Sequence, residues 1–200
     1  MLGRQGADRG PDTVAVRSGA RDETGLIDLI AEGDLRAFEE LYRIYHPRLT
    51  RFLGNMLRRP ELVEEALNDC MLVVWRRADS YNGNSKVSTW IFAIAYRKAL
   101  KALQRLDEPM EDQHAETRPC TLDGPEQQLG QRQVQQLLLN AMRELSVDHR
   151  TVVDLTYFHD IGYREIAEIM TCPVDTVKTR MFHARRRLKT MLAGRLTDWL

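Results

Sequence analysis

The sequence predicts an all-α protein of two small helical domains joined by an acidic flexible linker, the second domain containing a helix-turn-helix. Three observations carry this. Apolar residues recur at three- and four-residue spacing in both halves, no alternating runs pair as strands, and the charges segregate along a chain whose 29 basic and 29 acidic residues cancel. Residues 25–106 hold 13 basic and 10 acidic residues, 131–200 hold 11 and 8, and 107–130 hold 1 and 7 together with Pro109, Pro119 and Pro125. The acidic, proline-punctuated stretch reads as a linker between two mildly basic domains. Residues 1–24, balanced in charge and poor in apolar periodicity, read as a disordered tail.

Each element has a local cause. Asp34 can cap a helix through Ala37, Phe38, Leu41 and Tyr45, which Pro47 should end before a second run, Leu49 to Leu57. Pro60 opens a helix whose Val63, Ala66, Leu67, Cys70 and Val74 share one face, with Glu61, Glu64, Glu65, Asn68 and Asp69 on the other. "SYNGNSKVS" then breaks the pattern with turn signals, and a further helix runs from about Thr89 to Leu106. In the second half, Gln131–Leu145 and Asp148–Tyr157 read as helices, and Tyr163–Met170 as a short third behind Gly162. "TCPV" turns the chain, and Asp175 can cap a fourth helix from Thr176.

Several function classes are excluded at this level. The longest apolar runs, "IFAIAY" and "CMLVVW", fall well short of the roughly 20 residues of a membrane-spanning helix. The N-terminus has no secretory apolar core, so a cytoplasmic protein is expected. Cys70, Cys120 and Cys172 are widely spaced, without a C-x-x-C or a nearby His pair, so neither a disulfide framework nor a metal site is indicated. No phosphate-cradling loop, nucleophile elbow or ligand cluster is present, so no cofactor and no enzymatic activity are expected.

The most charged stretch is Thr171 to Lys189, with six Lys or Arg against one Asp. Val177, Met181, Ala184, Leu188 and Leu192 form one apolar stripe on its helix, turning Lys178, Thr179, Phe182, His183, Arg186 and Arg187 wholly or partly outward. A basic surface helix alone could be a solvated face whose cations complement the helix dipole. A short helix and tight turn before it, with small Ala167 for close packing, favour DNA reading instead: early residues reach base edges, and the Arg-rich end holds phosphates.

With those features together, "ELSVDHRTVVDLTYFHDIGYREIAEIMTCPVDTVKTRMFHARRRLKTML" resembles the domain of extracytoplasmic-function sigma factors of bacterial RNA polymerase that reads the minus-35 promoter element. "AFEELYRIYHPRLTRFLGNML" through "STWIFAIAYRKALKAL" is similar to the family's first domain, which binds the polymerase clamp and the minus-10 element. The resemblance implies two sigma domains over 25–106 and 131–200. It further implies three partners: core RNA polymerase, double-stranded promoter DNA and the melted non-template strand. It leaves room for an anti-sigma factor.

Site residues follow from pattern and resemblance together. Arg97, Lys101 and Arg105 form a like-charge stripe that suits a nucleic-acid backbone, and nearby Tyr81, Trp90, Phe92 and Tyr96 suit base stacking, although Trp90 and Phe92 could equally be core. The resemblance gives the minus-10 contacts to Tyr81, Ser85, Lys86, Trp90, Tyr96, Arg97 and Lys101. It gives core-polymerase docking to Glu61, Glu65, Asn68 and Asp69, which pattern alone reads as a solvated face. In the second domain Lys178, Thr179, Phe182 and His183 face the minus-35 groove, while Arg180, Arg186 and Arg187 hold phosphates. The contrasting class is a self-contained helix-turn-helix regulator whose first domain is a helical ligand sensor with an enclosed apolar pocket.

Overall fold

A computed structural model describes residues 22–107 and 138–196. Residues 1–21, most of the acidic linker and the expected helix before residue 138 lie outside the described residues. Eight α-helices and one 3-10 turn, Ala78–Ser80, are described, with no strand among the described residues: α1 (Glu23–Ala31), α2 (Leu35–Leu57), α3 (Pro60–Arg76), α4 (Val87–Asp107), α5 (138–143), α6 (Val147–Tyr157), α7 (Tyr163–Met170) and α8 (Val174–Leu196).

α1 was not anticipated. Asp22 accepts from the Gly25 amide at 3.1 Å as its cap, Ile27 and Ile30 face the core, and Tyr45 donates to Glu23 at 2.6 Å. Residues 22–24 thus cap and begin a helix rather than extend a tail. Gly33, at φ 91°, makes the turn into α2, where Asp34 accepts from the Arg36 and Ala37 amides as expected.

α2 corrects one expectation, because Pro47 lies inside a continuous helix instead of ending it. Its ring removes one backbone hydrogen bond and strains the preceding turn, at a cost of about 3 kcal/mol. The buried row outweighs that cost: Leu41, Tyr45, Leu49, Phe52, Leu53 and Met56 stay on one face only if the helix runs straight through. α3 starts at Pro60 and buries the apolar face expected of it. α4 begins two residues early, at Val87.

In the second half Ser146 caps α6, and Glu165 accepts from the Gly162 amide at the start of α7. Thr171 closes α7 in the left-handed region at φ 51°, a conformation unusual for a β-branched residue. α8 begins at Val174 with Pro173 supplying the first acceptor carbonyl, so Asp175 sits in the first turn and is not the cap. There its charge complements the helix N-terminus.

α2 packs on α6, and α4 on α7, so the buried residues of both halves run together. Phe52 and Phe92 meet edge to face at 5.2 Å, and the His159 ring from the second half closes on Phe92 at 4.7 Å.

Candidate nucleic-acid and partner interfaces

Val177, Met181 and Ala184 are fully buried beneath α8, which fixes the helix rotation and sends the opposite face to solvent. Lys178, Thr179, Phe182, His183, Arg186 and Arg187 are all exposed, and Phe182 keeps 63% of its surface. Lys178 reaches back to Asp175 at 2.9 Å, and the Thr179 hydroxyl donates to the Asp175 carbonyl. The His183 ring stands 5.5 Å from Phe182 and 6.3 Å from His149. Burial first, with His183, Arg180 and Arg187 nearby, holds His149 below its ordinary value against the opposing pull of Asp148.

Arg180 departs from its expected role. It is half-buried, ion-paired with Asp148 of α6 and within 3.7 Å of the Cys172 sulfur. It therefore ties α8 to α6 and does not project with Arg186 and Arg187. The expectation rested on charge and neglected rotation: Arg180 precedes Met181, at the edge of the buried stripe.

In the first half, the loop after α3 is preformed. The Tyr81 hydroxyl donates to the Ser85 carbonyl at 2.6 Å, its ring lies 5.5 Å from Trp90, Asn82 accepts from the Asn84 amide, and Gly83 takes φ 71°. Tyr81 and Trp90 are half-buried, Ser85 likewise, and Arg97 and Lys101 are exposed. Phe92 is wholly core. Tyr96 is 6% exposed and faces the second half; burial first, then Asp148, pushes its hydroxyl up to about 12.

Lys86 is exposed but pairs with Glu165 of α7 at 2.9 Å, and the Thr89 hydroxyl lies 3.4 Å from the same carboxylate. Hydrogen bonding to Glu165 raises Lys86 above its ordinary value. Glu165 is pushed up by partial burial but held below its ordinary value by Lys86, Gly162 and Thr89. A depressed carboxylate stabilises above its unfolded value and loses this as pH falls through its folded one; a raised lysine stabilises below its unfolded value and loses this as pH climbs through its folded one. Between the carboxylate and ammonium ranges both charges persist, so salt and not pH loosens this contact.

On α3, Glu61, Glu65 and Asn68 are exposed and Asp69 is half-exposed. Asp69 pairs with Lys98 at 2.9 Å and Glu65 with Arg105 at 3.3 Å, so these acids also join α3 to α4, and Arg105 does not stand alone in its stripe. Leu72, 43% exposed, continues the same face by one turn. The apolar face read from the sequence, Val63 to Val74, left it out, and a single leucine carries no signal of a contact by itself. Among the described residues no group of acids, His and Cys could hold a metal ion, and no helix is long and apolar enough to cross a membrane.

Residues 41–108 match the family described as Sigma-70 region 2, and residues 135–188 the one described as Sigma-70, region 4. The ECF RNA polymerase sigma-E factor of Haemophilus influenzae is 27% identical over 180 residues, spanning 85% of this chain and 95% of that protein. The ECF RNA polymerase sigma factor SigW of Bacillus subtilis is 27% identical over 176 residues, spanning 83% and 94%. The same fold occurs in the sigma factor RpoE of Bartonella quintana, solved with the anti-sigma factor NepR: TM-score 0.63 at 20% identity, over 80% of this chain and 98% of that one. CnrH, solved with the cytosolic domain of CnrY, gives a TM-score of 0.65 at 19% identity, over 86% and 97%.

Proposed function

The chain belongs to the extracytoplasmic-function group of the sigma-70 family, a promoter-recognising factor for RNA polymerase, and from that premise we propose how its surfaces divide the work. α8 enters the major groove of the minus-35 element with Lys178, Thr179, Phe182 and His183, while Arg186 and Arg187 hold phosphates. The loop Tyr81–Lys86, the face of α4 bearing Trp90, Arg97 and Lys101, and Tyr96 on its flank receive the non-template strand of the minus-10 element. Bases leaving the stack exchange stacking for pocket contacts inside a polymerase that holds the bubble, so melting needs no nucleotide hydrolysis by this chain. The family is non-enzymatic, and we assign the chain no catalysis and a cytoplasmic setting beside polymerase. The observation that supports this division best is the exposed Lys178–Arg187 face of α8, paired in one chain with a region 2 domain. That region 2 match leaves the regulator-with-sensor reading without support.

Core polymerase docks on α3 through Glu61, Glu65, Asn68 and Asp69, with Leu72 as an apolar contact beside them. Reversing charge at Glu65 and Asp69 to Lys should abolish most capture of core polymerase in a pull-down. The two ion pairs lost with them are worth at most about 1 kcal/mol each, so a circular dichroism melt that stays cooperative and leaves the variant folded at the pull-down temperature separates docking from folding. Full capture by the double variant would remove the assignment.

For the minus-10 loop, Tyr81→Ala with Lys86→Ala should lower permanganate reactivity of melted thymines in the holoenzyme while core capture stays normal. Tyr81→Phe loses only the hydroxyl that holds the Ser85 carbonyl, so an intermediate effect would show that loop shape contributes. Normal melting by the double variant would refute the loop's role.

A further inference from the structure

One side chain on the exposed face of α8 opposes the charge of its surroundings. Asp175 is the only acid in the sequence of α8 and stands in its first turn, three residues before Lys178 and four before Thr179. Residues at that spacing share a helix face. The Asp175 carboxylate takes the Lys178 ammonium at 2.9 Å with 89% of its side chain in solvent, so the pair is not part of the packing that holds α8 in place. Asp175, Thr179 and His183 line one open groove of about 350 Å³, which puts the carboxylate on the side of the helix proposed to face DNA. The neighbouring Arg180 is turned to Asp148.

A carboxylate in that place works against general DNA affinity. It repels the phosphates on either side of the groove and occupies an ammonium that could neutralise one of them. Toward base edges its chemistry is selective: it accepts from an exocyclic amino group and is repelled by carbonyl and ring-nitrogen acceptors. Cytosine N4 and adenine N6 are the amino groups the major groove displays. In a C·G pair the cytosine amino group has an acceptor, guanine O6, on one side only, and an ammonium seated beside the carboxylate can donate to that O6 or to N7. The adenine amino group lies between its own N7 and thymine O4, so one acceptor would face the carboxylate uncovered. An acceptor and a donor held together at 2.9 Å therefore match C·G better than A·T.

We propose that Asp175 is a specificity-determining residue of α8: its carboxylate accepts from the N4 amino group of one cytosine in the minus-35 element, while Lys178 donates to the guanine paired with it. The proposal rests on the reading of α8 as the minus-35 recognition helix. Asp175 then selects by exclusion as well as by contact, because the same carboxylate weakens binding to every sequence that places an acceptor or a phosphate there.

The test uses the full chain in holoenzyme with Asp175→Asn and Asp175→Ala. Each is titrated at two salt concentrations against duplex promoter DNA in which every minus-35 base pair is changed in turn, with a duplex lacking the element as reference. The wild-type chain should favour C·G at one position by roughly tenfold. Asp175→Ala should erase that preference, and Asp175→Asn, whose amide sets a donor beside its acceptor, should move it toward A·T. Both variants should bind the reference duplex more tightly, with a salt dependence steeper by about one phosphate contact, because Lys178 is released. A base profile unchanged in both variants would overturn the proposal, and so would equal losses at every base pair with weaker binding to the reference duplex. Absence of any effect of Asp175→Asn in a Lys178→Ala background would also overturn it, since Asp175 would then act only by orienting Lys178. A wild-type holoenzyme with no preference anywhere in the minus-35 element would instead strike the recognition-helix reading itself, a result distinguishable from the others.

Discussion

Phe52→Ala should cost about 3–5 kcal/mol of stability, the range for a buried aromatic truncated where neighbours cannot fill the gap. Phe52 has no exposed surface, meets Phe92 edge to face at 5.2 Å and lies 6.1 Å from the His159 ring. The void would therefore open on both halves at once. Against a usual total of about 5–15 kcal/mol, that removes a large share of the folding free energy. Urea unfolding followed by circular dichroism measures it. Phe182→Ala provides the contrast, since a side chain 63% exposed should change stability by under about 0.5 kcal/mol. A Phe52→Ala loss under about 1 kcal/mol would mean that the junction is not packed as described.

The second large effect is a division of labour along α8. Lys178→Ala should change base preference, with each lost base contact costing about 1–3 kcal/mol on the preferred sequence. Arg187→Ala should weaken every sequence about equally and flatten the salt dependence by roughly one phosphate contact. Lys178 stands in the first turns, where a recognition helix enters the groove, and Arg187 lies two turns on, where it passes the backbone. Arg180→Ala belongs to neither class: with its guanidinium on Asp148, it should loosen the α6–α8 contact before it alters DNA contacts. Titration of the full chain in holoenzyme against single-base minus-35 variants at two salt concentrations resolves these cases. Equal, sequence-independent losses for Lys178→Ala and Arg187→Ala would show that the helix does not read bases this way.

Much of the architecture was legible because local signals agreed with burial. Asp34, Pro60 and the α8 stripe each gave a start or a rotation that the fold keeps. Pro47 misled because its local cost is real but smaller than the burial of the row that continues past it. α1 was missed because nine residues around two buried isoleucines give a weak periodic signal without the partner surface on α2. The outward set on α8 was legible from periodicity alone; Arg180, counted only with the phosphate-holding arginines, has a partner on another helix that the sequence did not reveal. For the same reason the pairing of Glu165 with Lys86 and of Asp148 with Arg180 was not visible at all. Each looks like an ordinary surface residue until folding brings its partner alongside.

The most direct measurement is transcription from genomic DNA by core polymerase with and without this chain, followed by start-site mapping. The sigma-factor account predicts new starts only when the chain is present, lying downstream of shared minus-35 and minus-10 elements. Loss of those starts with Lys178→Ala, and new starts at altered minus-35 sequences, would tie them to α8. Identical start sites with and without the wild-type chain, although it is bound to core polymerase, would contradict the account.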